Sequence, residues 1–154
     1  CDSPRTSTGE GRCADEVDVV INVSALLSGE VGLVRDELAG IVHAARVRGV
    51  NTGHGQVIVK AIIETCYLDD RYKRLACHIC EQAGVDFVKT STGVGSYGAT
   101  VKDVELLRDC LDAGIGVKAS GGIRTAADAE RMIGAGAVRL GTSSGTSIME
   151  ELLA

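Results

Sequence analysis

Short apolar segments alternate along this chain with longer segments of helical periodicity, and this alternation constrains the fold more than any other feature. From Asp15 onward, five apolar segments read as strands, and the segments between them place apolar residues three and four positions apart. The predicted strands span residues 17–23, 57–63, 87–90, 116–119 and 138–141. Because strands alternate with helices, the pattern predicts βα units and a parallel sheet.

The ends of two helices are visible in the sequence. Apolar residues from Val31 to Ala45 share one helical face. A second helix follows Asp69 or Asp70 as its N-cap and stops at Gly84. The chain therefore carries its own start and stop signals for these helices.

Two later helices begin at threonines that fit a capping box. Thr100 and Thr125 each stand three residues before an aspartate, which replaces the usual glutamate, and Gly114 and Gly136 follow the two helices. The strands between the helices read as continuously apolar. This predicts that both faces of the sheet are covered, as in α/β folds.

The number of units leaves two architectures open. Five units in 154 residues give about 31 residues per unit, close to the spacing of a (β/α)8 barrel of about 250 residues. A doubly wound sheet uses the same unit, so periodicity alone does not choose between them. Residues 1–14 contain no Val, Ile, Leu or Phe and are predicted to be a loose tail, which leaves residues 15–154 as one domain.

Composition excludes several classes of function. Sixteen Lys and Arg against twenty-one Asp and Glu give a formal net charge of −5, so no overall positive field attracts nucleic acid or an anionic membrane. Aromatic residues make up only 3%, which leaves few stacking platforms for bases. No apolar run reaches the roughly 20 residues of a membrane span, and the first residues lack a signal-peptide pattern. We expect a cytoplasmic protein.

Six cysteines raise the question of a metal site. They are scattered, and only Cys77 and Cys80 form a CxxC pair, with no second pair at the spacing of a zinc ribbon. On a helix these two thiols are neighbours on one face. The sequence favours packed, reduced thiols, and we expect no metal.

Three lysines lie inside or at the end of consecutive predicted strands. Lys60, Lys89 and Lys118 are separated by 29 residues at each step, and Asp18 lies in the strand before them. Equal spacing across βα units predicts that the three ammonium groups lie at a similar height on adjacent strands. A single lysine at a strand end commonly extends into solvent. Three such charges together with an embedded carboxylate are costly to bury unless they compensate one another, so one shared pocket is the better interpretation.

Clustered lysines favour a particular chemistry. An amine attacks a carbonyl only when it is unprotonated, and desolvation with neighbouring positive charge lowers a lysine pKa toward neutrality. One lysine of the cluster could therefore form a Schiff base while another suppresses its charge.

Glycine-rich loops follow the last two predicted strands, in residues 118–125 and 141–145. Glycine lets the backbone approach an anion, and helix N-termini present N–H groups, so a phosphate fits there. Neither loop matches a nucleotide-binding P-loop or GxGxxG. For either loop alone a simple tight turn explains the glycines equally well, but loops after the last two strands are where barrels bind phosphate.

These residues resemble the deoxyribose-phosphate aldolase family, which are class I aldolases on a (β/α)8 barrel. The resemblance runs from about Asp15 to Leu153 and is carried by DEVDVV (15–20), FVKTSTG (87–93) and VKASGGIRT (117–125), with support from IET (63–65) and GTSS (141–144). It implies an α/β fold of the TIM-barrel type, truncated to about five parallel βα units that match the family's fourth to eighth. Such an arc leaves open edges, so we expect a homo-oligomer.

The resemblance also implies site residues and a reaction. Lys89 looks like the Schiff-base lysine and Lys118 like the second lysine, while Asp18 and Lys60 look like a proton relay acting through water. The implied phosphate-binding residues are Gly93, Gly121, Gly122, Arg124, Gly141, Ser143 and Ser144. The family reversibly cleaves 2-deoxy-D-ribose 5-phosphate to acetaldehyde and D-glyceraldehyde 3-phosphate. The expected partners are therefore a sugar phosphate and aldehydes, and no cofactor is expected.

Two other functions remain open on the sequence alone. A chain with five units could be a non-catalytic remnant that binds a sugar phosphate or a partner chain. It could also be a different Schiff-base or phosphate-binding barrel enzyme, which the lysine cluster would equally serve.

Overall fold

The computed structural model describes residues 14–51 and 55–153 as one α/β unit. Its strands are β1 (Glu16–Val20), β2 (Ile58–Ile62), β3 (Phe87–Lys89), β4 (Gly116–Ser120) and β5 (Arg139–Gly141). Its α-helices are α1 (Val23–Leu27), α2 (Val31–Asn51), α3 (Asp70–Ala83), α4 (Val101–Cys110), α5 (Ala126–Gly134) and α6 (Gly145–Leu153), and a short 3-10 helix spans Thr65–Tyr67. The tail predicted for residues 1–14 lies outside the described residues except for its last position.

The sheet topology distinguishes a barrel arc from a doubly wound sheet. The five strands are parallel and pair in the order β1-β2-β3-β4-β5, without the reversal that a doubly wound sheet requires. Right-handed crossovers that always step in the same direction place every helix on one face. Accordingly, each helix from α2 to α6 packs against the next. The predicted α/β fold of barrel type, with five parallel units, is confirmed.

The two faces of the sheet differ in polarity. Val59, Ala61, Val88, Val117 and Ala119 are fully buried against the helices. The alternate positions of the same strands carry the charged side chains, on the face without helices. The prediction that both faces of the sheet are covered is wrong for the described part of the chain, because a sheet that steps in one direction has helices on one side only.

The sheet is curved, as a barrel arc must be. Along a flat sheet, four strand spacings would separate β1 from β5 by about 19 Å. Nevertheless Arg139 of β5 donates a hydrogen bond to Glu16 of β1, with an N–O distance of 2.7 Å. The two edge strands therefore bend toward each other across the face that carries the charges.

The helix ends agree with most of the predicted caps. The Asp69 side chain accepts a hydrogen bond from the third residue of its helix, and Gly84 closes that helix in the left-handed conformation. Thr125 forms a complete capping box with Asp128. Thr100 also caps its helix, but the capping box predicted there is only half formed, because the partner aspartate turns to a lysine on α3.

The first predicted strand extends three residues too far. It was expected to span residues 17–23, but β1 ends at Val20 and the Asn22 side chain caps a helix by accepting a hydrogen bond from the Ala25 N–H at 3.1 Å. Asn22 lies in an otherwise apolar run, and apolar periodicity cannot separate a strand end from a one-turn helix in so short a segment. Helix α1 is therefore an element that the sequence pattern missed.

A buried ion pair joins α3 to α4. The Lys73 ammonium lies 2.6 Å from Asp103 Oδ1, and both side chains are buried. Burial alone would lower the pKa of Lys73, but the hydrogen bond to Asp103 and the attraction of nearby acidic groups together outweigh it and raise that pKa. The pair fixes how the two helices dock.

We expect Asp103→Asn to lower the free energy of unfolding by about 2 kcal/mol, because it leaves the Lys73 charge without its buried partner. The loss stays below the range for a fully orphaned charge, since Asp70 remains 3.6 Å from the ammonium. Urea unfolding would measure it. The control is Asp36→Asn in an exposed pair with Arg35, where the change should stay below about 0.5 kcal/mol. Equal effects at the two sites would contradict this interpretation.

The thiols of α3 are part of the core. Cys77 and Cys80 are free and fully buried, as the packed interpretation predicted. Burial raises the pKa of both thiols, that of Cys80 to about 12. Across residues 14–51 and 55–153, no group of three or more His, Cys, Asp and Glu side chains is arranged to hold a metal ion. None of the helices in this part of the chain is long and apolar enough to cross a membrane.

Candidate active site

One carboxylate gathers three lysines on the charged face of the sheet. Asp18 Oδ1 lies 2.9 Å from the Lys60 ammonium, and Asp18 Oδ2 lies 2.8 Å from that of Lys89 and 3.1 Å from that of Lys118. Because Lys89 and Lys118 bond the same oxygen, their nitrogens lie within about 6 Å of each other, a distance at which two like charges interact strongly. The four charged residues that the sequence analysis grouped thus share one site.

The register of the strands places the lysines at two heights. Lys89 and Lys118 are direct partners, but Lys60 pairs with Phe87, two residues before Lys89. The equal sequence spacing predicted one height for all three lysines and is wrong for Lys60. Register depends on the stagger of the strands and on the pattern of buried residues, and loop and helix lengths absorb the difference. The long side chain of Lys60 bridges the offset.

The charged groups shift one another's ionisation. Burial alone would raise the pKa of Asp18, but hydrogen bonds from the three lysines outweigh it and hold that pKa well below its usual range. Burial alone would lower the pKa of Lys60, but hydrogen bonds to Asp18 and Glu16 outweigh it and raise that pKa. Asp18 is therefore a carboxylate and Lys60 an ammonium at neutral pH.

The ionic network extends beyond the predicted residues. Glu16 accepts from Lys60 at 2.6 Å and from Arg139 at 2.7 Å, and hydrogen bonds from these two cations lower its pKa. The Arg139 guanidinium also lies over the Phe87 ring, 4.6 Å from the ring centre. Three lysines and one arginine thus face two carboxylates, so basic side chains outnumber acidic ones in the site.

A cavity of about 360 Å³ adjoins the lysine cluster at the ends of β4 and β5. Six of the seven residues that the sequence analysis assigned to phosphate line it, namely Gly93, Gly121, Gly122, Arg124, Gly141 and Ser143. Ser144 does not line the cavity, and its N–H instead donates to the Thr142 hydroxyl at 2.9 Å. The predicted loops therefore meet in one pocket, with one residue outside it.

The N–H groups that face an anion differ from those expected. The N–H groups of Arg124 and Thr125 before α5 already donate to Asp128, and these bonds help to lower the Asp128 pKa to about 2. Gly122 and Ser143 donate no backbone hydrogen bond within the described part of the chain. Both residues line the cavity, so their N–H groups are available to an anion there.

Comparisons with known proteins identify the family to which the chain belongs. A model of the family described as DeoC/LacD family aldolase matches residues 11–150. The chain belongs to this aldolase family. It is 51% identical over 138 residues to the deoxyribose-phosphate aldolase of Caldanaerobacter subterraneus, and 49% identical over 137 residues to that of Streptococcus gordonii. These alignments cover 90% and 89% of this chain but only 57% and 58% of the relatives, so the chain spans under two thirds of their length.

Solved structures of the aldolase family share the fold of the chain. A protein described as QR15, an aldolase, matches with a TM-score of 0.79 and 44% identity, covering 91% of this chain and 59% of that one. A deoxyribose phosphate aldolase from Aeropyrum pernix, described as a unique tetrameric structure, matches with a TM-score of 0.77 and 39% identity. That match covers 92% of this chain and 56% of the other.

Two residues of the site region in this family member were not assigned any role from sequence. Glu64 is buried and bonds to Thr92, and Thr92 lines the cavity of about 360 Å³ beside Gly93. Both lie within strings that carried the family resemblance, so a signal was present. A glutamate two residues after a strand usually ends in solvent, and nothing in the apolar pattern reveals that this one turns inward.

Close backbone contact also shapes the cavity of this aldolase-family chain. The N–H of Ala99 donates to the carbonyl oxygens of Ser120 and Gly121, both at 3.0 Å, which brings the loop after β3 against the loop after β4. A Cβ at Gly98 would lie 2.2 Å from the Gly121 oxygen. Only glycine fits at this crossing.

Proposed function

We propose that this chain carries the catalytic centre of a deoxyribose-phosphate aldolase that works through a Schiff base on Lys89. The reaction is the reversible cleavage of 2-deoxy-D-ribose 5-phosphate to acetaldehyde and D-glyceraldehyde 3-phosphate. The observation that carries the proposal is the meeting of Lys89 and Lys118 at one oxygen of Asp18, at 2.8 and 3.1 Å. The names of the relatives support the choice of substrate.

The first steps make an electron sink from the substrate itself. The neutral Lys89 amine attacks the C1 aldehyde and gives a carbinolamine, which loses water to become an iminium. We assign to Lys118, which shares the Asp18 oxygen with Lys89, the role of the second lysine beside the reacting amine. Since the iminium itself accepts electrons, the proposed chemistry needs no metal or organic cofactor.

The carbon–carbon bond then breaks with transfer of a proton. A base removes the proton of the C3 hydroxyl, and the C2–C3 electron pair moves to the iminium. Glyceraldehyde 3-phosphate is released, and an enamine remains on Lys89. Asp18, held as a carboxylate, is the base acting through water, and Lys60 holds it in place. Protonation of the enamine and hydrolysis release acetaldehyde and the free lysine.

The remote phosphate orients the reacting end. We assign it to the cavity between the Gly121 and Gly141 loops, with the Gly122 and Ser143 N–H groups as donors and Arg124 as the nearby cation. Binding energy from this end fixes C1 against Lys89. The self-association expected from open sheet edges likewise remains a proposal.

Covalent trapping tests the proposed function directly. With acetaldehyde and borohydride, hydride reduces the C=N bond of the iminium to a secondary amine, so we expect a stable ethyl group on one lysine. Peptide mass spectrometry should place it on Lys89. An exposed lysine, Lys102, serves as the internal control and should remain unmodified at the same reagent concentration.

Two results would overturn the proposal. Folded protein with an unmodified Lys89 would leave a sugar-phosphate-binding protein without catalysis. Equal modification of all lysines would show ordinary surface chemistry in place of a Schiff-base site. In contrast, trapping on Lys89 that increases when deoxyribose 5-phosphate replaces acetaldehyde would tie the adduct to the proposed substrate.

A further inference from the structure

A buried glutamate lies directly behind the phosphate cavity and is not used in the proposed chemistry. Glu64 follows β2 by two residues and is 4% exposed. Its Oε2 accepts a hydrogen bond from the Thr92 N–H at 3.1 Å and a short one from the Thr92 hydroxyl. The carboxylate thus bonds both the backbone and the side chain of Thr92, which makes it an anchor for that residue.

The backbone at Glu64 is held in an unfavourable conformation. Its φ of 53° makes it the one non-glycine residue with positive φ in residues 14–51 and 55–153. The left-handed conformation is unfavourable for a residue with a Cβ, and such strain concentrates at functional sites. The strained turn is what directs the side chain inward, toward the loop after β3.

The loop that Glu64 holds is also fixed from its other side. The Thr90 hydroxyl donates to the Ser120 carbonyl at 3.2 Å, and the Ser120 hydroxyl donates to the Ser91 carbonyl at 3.1 Å. The Thr92 hydroxyl, besides donating to Glu64, accepts from the Val94 N–H at 3.3 Å. The segment from Lys89 to Gly93 is therefore tied to β4 on one side and to Glu64 on the other.

Space around the carboxylate is tight. A Cβ at Gly95 would lie 3.1 Å from Glu64 Oε1 and 2.5 Å from the Cys66 sulfur. The loop after β3 thus passes directly over Glu64, and the same Thr92 lines both the phosphate cavity and a second cavity of about 660 Å³ on the side of β1. Thr92 separates the two cavities, and its hydrogen bonds to Glu64 fix its position.

We infer that Glu64 is a positioning residue for phosphate binding. It holds Thr92 and the adjoining Gly93 backbone in the place where they contact the anion. Glu64 does not touch the anion itself. This inference rests on the proposed phosphate site, and it adds the buried carboxylate that determines how tightly that site binds. Loosening the anchor weakens phosphate binding and leaves the lysine chemistry three residues earlier in place.

Two pairs of variants separate the anchor from general stability. Glu64→Asn tolerates the left-handed backbone but is one carbon too short to reach Thr92, whereas Glu64→Gln keeps the reach and an acceptor oxygen. Thr92→Val removes the hydroxyl at nearly constant shape, and Thr92→Ser keeps it. Circular dichroism and thermal unfolding establish that each variant is folded.

The first measurement is the affinity for inorganic phosphate, followed by ³¹P NMR. We expect Glu64→Asn and Thr92→Val each to weaken binding about tenfold, which corresponds to about 1.4 kcal/mol. Glu64→Gln and Thr92→Ser should remain within about threefold of the unmodified protein. Unchanged affinity in both Glu64→Asn and Thr92→Val would overturn the inference.

The second measurement compares cleavage of 2-deoxyribose 5-phosphate with that of unphosphorylated 2-deoxyribose. For Glu64→Asn and Thr92→Val we expect a KM for the phosphorylated sugar about ten times that of the unmodified protein, with a nearly constant kcat. Cleavage of the unphosphorylated sugar should stay within about twofold of the unmodified protein. Equal losses on both sugars would show a merely structural role. If the unmodified protein cleaves neither sugar, the proposed function fails, while the phosphate affinities still decide the role of Glu64.

Discussion

Lys89→Leu is expected to lower the rate of deoxyribose 5-phosphate cleavage by at least about 10⁴-fold. A covalent mechanism has no substitute for its nucleophile, and losses of this size accompany removal of a nucleophile in other enzymes. Lys118 is the nearest other amine, but it pairs with Asp18 from the neighbouring strand and would approach C1 from a different position. The measurement is initial rate at saturating substrate.

The fold should survive this substitution. Leucine fills a similar volume without a charge, and Asp18 keeps its bonds to Lys60 and Lys118, so the free energy of unfolding should change by no more than about 1 kcal/mol. Lys102→Leu is the matched control, since it makes the same change at an exposed position on α4 and should leave the rate unchanged. Substantial residual turnover by Lys89→Leu would exclude Lys89 as the nucleophile.

Sequence was sufficient to predict the parts of this molecule that depend on local rules. The five parallel units follow from periodicity, and the ends of α3 follow from an aspartate cap and a left-handed glycine. The grouping of Asp18 with three lysines followed because charges in apolar strands need one another. These inferences required no knowledge of how the strands are staggered.

Features that depend on the stagger of the strands and the curvature of the sheet could not be predicted from the sequence in the same way. The offset of Lys60 and the bond between Glu16 and Arg139 arise only when the sheet bends and its edges approach. The left-handed turn at Glu64 is similar, because a glutamate there costs free energy that its hydrogen bonds to Thr92 help to offset. The order of residue types along the chain does not show that a glutamate adopts a left-handed backbone conformation and turns its side chain inward.

Asp18→Asn is expected to reduce both stability and turnover. The amide cannot compensate charge, so Lys89 and Lys118 would face each other without the anion that separates them, while Lys60 would keep only Glu16. Asp18 itself is exposed and only Lys60 of its three partners is buried, so the loss of unfolding free energy should be about 1 to 2 kcal/mol, below the range for a fully buried pair. Loss of the proposed base should also lower turnover about 10³-fold.

The pH dependence of the stability loss identifies its cause. The pKa of Asp18 is lower in the folded chain than in the unfolded chain, where it is about 3.9. The contribution of Asp18 to the free energy of unfolding is therefore complete above about 3.9 and is lost as pH falls through the folded pKa. The pKa of Lys60 is raised, so its contribution is complete below about 10.4 and is lost as pH rises through the folded value. The difference between Asp18→Asn and the unmodified protein should therefore be constant near neutrality and shrink at both extremes.

Urea unfolding from pH 3 to 11 would measure this difference, with Asp36→Asn as the exposed control. A stability difference that stays constant into acid would mean that Asp18→Asn acts through packing, because a packing defect does not depend on the protonation of Asp18. A variant as stable as the unmodified protein would mean that the three lysines do not need the carboxylate. In that case the excess positive charge of the site would be tolerated by solvent, and the proposed control of Lys89 by its charged neighbours would lose its physical basis.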